Sequence, residues 1–94
     1  MNTPRTHGVL HIHAAPASLC PHIRWALESV VGRTPEPQWS PQFALPGQVR
    51  TTLEWEGPCG TGALLASALR QLGNLRFEIH EEARPGSDAG RWAY

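Results

Sequence analysis

The sequence predicts an α+β fold, one antiparallel sheet with two helices on a single face, and three observations carry that prediction. Three segments alternate apolar and polar residues at period two. Two others repeat apolar residues at helical spacing. The second and third strands are joined by only about six residues, a link that suits antiparallel neighbours and no parallel crossover.

Element by element, Gly8 to Ala14 sets Leu10, Ile12 and Ala14 against Val9, His11 and His13, a strand with one buried face. Pro16, Ser18 and Pro21 punctuate a helix start, with Ser18 or Cys20 as N-cap. Leu19, Ile23, Ala26, Leu27 and Val30 follow at helical spacing until Gly32 stops the run. Pro35, Pro37, Pro41 and Pro46 confine any strand near Trp39 to a sheet edge, where a lost backbone donor faces solvent. From Gln48 to Glu56, Val49, Thr51, Leu53 and Trp55 alternate with Arg50, Thr52, Glu54 and Glu56. The turn Gly57 to Gly62 leads into a helix whose inward stripe is Leu65, Ala68, Leu69 and Leu72, ending at Gly73-Asn74. Leu75, Phe77 and Ile79 then alternate with Arg76, Glu78 and His80. Residues 83–90 read as loop and 91–94 as the stub of another strand. The order βαββαβ plus a stub fits a single ferredoxin-like domain over residues 1–94. Alternation rather than continuous apolar runs argues against a doubly wound parallel sheet. The uncovered face should carry Val9, His11, His13, Arg50, Thr52, Glu54, Arg76, Glu78 and His80.

Composition narrows the chemistry. The 94 residues are 40% hydrophobic with formal net charge zero, wrong for a disordered tail or a polybasic nucleic-acid arm. All eight basic residues are arginine, which removes Schiff-base chemistry and lysine-anchored phosphate loops. No apolar run follows Arg5 at the start, so neither a secretory signal nor a spanning helix is expected, and a cytoplasmic location is the default. Cys20 and Cys59 are too few for a disulfide framework and are expected to be free thiols.

Four features bear on function. His11 and His13 share a strand face, and the fourth strand brings His80 and Glu78 beside them; three imidazoles and a carboxylate can hold zinc if they converge, while the plain alternative is a solvated polar face. Cys20-Pro21-His22 at a helix N-terminus has the setting that lowers a thiol pKa, but no third orienting group accompanies it, and a small half-buried thiol is the plainer reading. The Gly60-Thr61-Gly62 turn can present backbone N–H groups to an anion, although it lacks the endings of a P-loop or dinucleotide site. Trp55 belongs in the core and Trp25 falls off its helix's inward stripe. Trp39 and Trp92, with Arg50 and Arg76 of the open face, are the candidate interaction residues. Glu54 and Glu56 on the third strand would repel phosphates, against an RNA-binding sheet.

The strings Gly8 to His13, Ala17 to Ala26 with its Cys-Pro-His and Trp-Ala, Gly60-Thr61-Gly62 and Leu75 to Glu78 resemble an uncharacterised actinobacterial family, domain of unknown function 3145. The resemblance runs over almost all of residues 8–94 and brings no catalytic residue or cofactor with it. Family members continue past the segment similar to Gly90 to Tyr94 into a second half, whereas this chain stops there. The resemblance implies that burial supplied elsewhere by that half is replaced here by self-association or a larger partner. It also implies, by the neighbourhood of some relatives' genes, an accessory role in a fatty-acid-related enzyme complex. The expectation is therefore a non-catalytic interaction or accessory module with a protein partner or second copy, binding neither nucleic acid nor membrane. A small metal- or anion-binding domain is the alternative.

Overall fold

The computed structural model describes residues 4–32, 36–86 and 88–94. Five strands, β1 (Arg5–Pro16), β2 (Ser40–Pro41), β3 (Gln48–Pro58), β4 (Arg76–Glu81) and β5 (Gly90–Ala93), alternate with two helices, α1 (Cys20–Val31) and α2 (Thr61–Leu72). They form one sheet in the order β2-β3-β1-β4-β5, and every pairing is antiparallel. The expected α+β class, antiparallel sheet and two helices are thus present.

Period-two patterning decides which face is buried. Thr6, Gly8, Leu10, Ile12 and Ala14 of β1, Thr51 and Trp55 of β3, and Phe77, Ile79 and Glu81 of β4 point inward. Ile23 and Leu27 of α1 and Leu65, Ala66 and Leu69 of α2 meet them in one core cluster. Phe77, Leu10, Ile12, Ile23, Leu65, Leu69 and Ile79 are its largest fully buried side chains. Each contributes roughly 1.5–3 kcal/mol by leaving water. The opposite face of the strands is covered by no described helix; Arg50, Thr52, Glu54, Arg76 and His13 lie exposed there, with Val9, His11, Glu78 and His80 half-buried.

Several local expectations are corrected. β1 begins at Arg5 rather than Gly8, because Thr6 continues the inward parity and its hydroxyl donates to the Glu82 carbonyl at 3.0 Å. A bulge after Ile12 then puts both Ala14 and Ala15 in the core. The carbonyl of His13, within that bulge, accepts from Gln42 Nε2 at 2.7 Å. α1 starts at Cys20 with no side-chain cap, since Ala17–Leu19 form a 3-10 turn that removes Ser18 from the N-cap position. The edge strand placed near Trp39 is only Ser40–Pro41, and Trp39 instead packs half-buried against the core. The C-terminal stub is a paired strand, β5, extended by reciprocal backbone hydrogen bonds between Tyr94 and Phe77 at 2.9 Å.

Candidate functional site

Strand adjacency assembles a polar cluster on the open face. His11 lies across from Thr52 on one side and Glu78 on the other, while His80 pairs with Val9 and Arg91. Glu78 is the hub. His80 Nε2 donates to its Oε2, Arg91 Nε donates to the same oxygen at 3.3 Å, and Arg91 Nη2 reaches Oε1 at 3.1 Å. His13 Nε2 stands 3.8 Å from Oε1. The hydrogen bond from His80, then that from Arg91, holds the Glu78 carboxyl at about 2, well below its ordinary 4.5.

That depression sets a pH window. A carboxylate whose pKa falls on folding stabilises the folded state fully above its unfolded value, and the contribution disappears as pH drops through the folded one. Thermal melts across acidic pH should therefore show Glu78→Gln less stable than wild type above about 4.5, with the gap closing toward about 2. A gap that stays constant through this interval would show that the carboxylate's ionisation contributes nothing.

The three candidate metal-binding imidazoles are neighbours, but they do not converge. His11 and His13 stack with centroids 5.9 Å apart and planes 9° from parallel, and His80 meets His11 edge-on at 6.0 Å. Stacked rings send their nitrogen lone pairs along parallel planes rather than to a common point. One ring nitrogen of His11 is also engaged, Nδ1 to Thr52 Oγ1 at 3.1 Å. Among the described residues no group of three or more His, Cys, Asp or Glu is arranged to hold a metal ion.

The Gly60-Thr61-Gly62 turn does hold an anion, and the anion is internal. Gly60, at φ 98°, adopts the left-handed conformation that lets the chain turn into α2. Its N–H donates to Glu81 Oε2 at 2.9 Å, and the Gly62 N–H donates to Oε1 at 2.8 Å. Glu81 is only 5% exposed, so the helix N-terminus is capped by a buried carboxylate from β4. Thr61 turns its hydroxyl to the Pro58 carbonyl at 2.6 Å, away from any external ligand. The Gly60 and Gly62 N–H groups that could have met an external anion are taken by the protein's own side chain. Glu81 was readable as the inward residue after Phe77 and Ile79, but its charge disguised it.

The remaining candidates separate. Arg50 and Arg76 are exposed on the open face, and neither joins the ion pairs of the described residues, which involve Arg24, Arg91, His7, His13 and His80. Trp92 turns its ring onto α2, where a Cβ at Gly62 would lie 2.5 Å from it. Trp25 is exposed and meets His22 edge-on at 5.6 Å. Phe43, which sequence patterning did not single out, is the most exposed large apolar residue among the described residues, at 86%. Cys20 and Cys59 are free thiols, and burial pushes the Cys20 thiol up rather than activating it. No described helix is long and apolar enough to cross a membrane.

Sheet and site together define a small α+β protein whose helices cover one face and whose other face presents an organised charge cluster. Residues 9–94 match the family described as Protein of unknown function (DUF3145), and the chain belongs to that family. No curated protein and no solved structure matches it.

Proposed function

We propose that the chain is a non-catalytic interaction module, built as a ferredoxin-like sandwich with an added edge strand, whose open face docks on a second copy of itself. The strand order β2-β3-β1-β4, with β1 antiparallel to both its neighbours, supports the ferredoxin-like reading. A non-catalytic role is supported by the Glu78 carboxylate being already held by His80 and Arg91, and by the half-buried Cys20 thiol having its pKa raised rather than lowered.

One observation carries the docking reading: the charges of the open face are self-complementary. The register sets out rows across the strands, Glu56, His7 and Glu82 at one end, then Glu54 with His80, then Thr52 with Glu78, then Arg50 and Arg76 at the other end. A twofold axis lying between two such faces and running across the strands reverses each strand over its own copy. Arg50 then meets Glu56, Arg76 meets Glu82, and Glu78 meets His80. Four rows about 6.8 Å apart on three strands about 4.8 Å apart cover roughly 400 Å² per copy. That is below the roughly 800 Å² per partner of a standard interface, the size of weak and transient contacts, so association is expected in the micromolar range or weaker.

Sedimentation velocity from about 1 to 200 μM tests the reading. The expected result is a mass rising from 10.3 kDa toward twice that value, with association weakened by added salt. A monomer throughout the range would overturn it.

A further inference from the structure

The open face is not flat. Between β1, β3 and the segment around β2 lies a cleft of about 430 Å³, whose walls include His11, His13, Ser40, Gln42, Arg50 and Thr52. Its ionisable lining is one guanidinium and two imidazoles, and no carboxylate is among the described lining residues. Glu78, which pairs across from His11 on this face, lies 3.8 Å from His13, and both of its oxygens are engaged by His80 and Arg91.

The walls are fixed before any ligand arrives. Thr52 Oγ1 and His11 Nδ1 hold each other at 3.1 Å; with the hydroxyl donating, the ring proton sits on Nε2 and remains a donor. Gln42 is tied at both ends, donating from Nε2 to the His13 carbonyl at 2.7 Å and accepting the Ala44 N–H at 3.4 Å. Arg50 stands outside the ion pairs of the described residues, so its planar fork of donors is uncommitted.

The geometry points to an oxyanion site: the cleft takes the phosphate or carboxylate group of a small ligand, with the Arg50 guanidinium as its principal donor and the Ser40 hydroxyl and His13 imidazole beside it. Charge-assisted bonds from a fork are the strong ones, and a prearranged wall loses little freedom on binding. The site exists on a single copy. It is therefore separable from docking, in which Arg50 faces a carboxylate of the second copy.

The test is an amide chemical-shift titration at constant ionic strength, with inorganic phosphate in one series and acetate in another. The expected result is saturable shifts at His11, Ser40, Arg50 and Thr52, with a dissociation constant in the millimolar range. Saturation by phosphate alone supports the site and assigns a phosphorylated ligand; saturation by both supports it and admits a carboxylate. Arg50→Gln, at an exposed position, should retain the wild-type spectrum elsewhere and bind about tenfold more weakly. Arg5→Gln, an equal loss of charge outside the cleft, should bind as wild type does. Glu82→Arg is titrated in parallel, with its mass measured by sedimentation at the titration concentration; phosphate binding by a monomeric sample reports the cleft alone. Shifts that never saturate, undiminished binding by Arg50→Gln, or equal weakening by Arg5→Gln would overturn the assignment.

Discussion

Replacing Gly8 by alanine is expected to be the most destabilising conservative change in the molecule, at about 3 kcal/mol or more. A Cβ built on Gly8 would lie 1.8 Å from the His80 carbonyl oxygen and 2.5 Å from Cζ2 of Trp55. The first obstacle is backbone in the β1–β4 ladder, so relief requires the central strands to spread. The second is the indole opposite Gly8 on β3, which fills the space a side chain would need. Overpacking against a flexible side chain costs about 1–3 kcal/mol, and a rigid carbonyl moves the effect to the upper end of that range or beyond it. At about 4–8 °C per kcal/mol for a domain of this size, the melting temperature should fall by about 12 °C or more. An unchanged melt would mean that β1 and β4 are not held at the separation described.

The second large effect is expected from Glu81→Ala. The carboxylate accepts the N–H groups of Gly60 and Gly62 in a site only 5% exposed, and alanine would leave both donors without a partner or bring in water. An unsatisfied buried donor costs about 1–3 kcal/mol, so two partly rehydrated ones should cost about 2–4 kcal/mol in denaturant unfolding. Glu81→Gln keeps one carbonyl oxygen and should lose less. Formate offers a readout that simple loss of packing would not give, because it can enter the vacated pair of donors and stabilise by mass action. It should raise the melt of Glu81→Ala more than that of wild type. Stability unaltered by Glu81→Ala would show that the α2 N-terminus is satisfied in another way.

Patterning is informative at some positions and fails at others. Period-two alternation identified the inward face of β1, β3 and β4, because side-chain direction in a strand follows from backbone geometry alone. It placed His11, His13 and His80 on one surface through strand adjacency, and their proximity follows from the pairing of β1 with β4. Alternation carries no information about ring orientation, so the stacking of His11 on His13 was not legible. Glu81 was missed because parity and polarity disagreed: its position after Phe77 and Ile79 is inward, whereas its charge reads as outward unless the helix start it caps is considered. β2 shrank to two residues because proline removes the donors a longer edge strand needs. Trp92 was open to two readings, an anchor for a partner or a cap on the end of the small core, and its packing against the core fits the second; nothing local indicated that small Gly62 and Gly90 would let its ring lie back on α2.

Self-complementary charge on the uncovered strand face is open to a charge-exchange experiment. Arg76→Glu should abolish self-association, since it sets two acidic groups against each other at both symmetry-related contacts; Glu82→Arg should do the same with two basic ones. An equimolar mixture should recover a mixed dimer by sedimentation, because each variant then supplies the charge the other needs. Recovery in the mixture alone is the expected result. Association that survives in either variant by itself, or a mixture that stays monomeric while wild type associates, would contradict it.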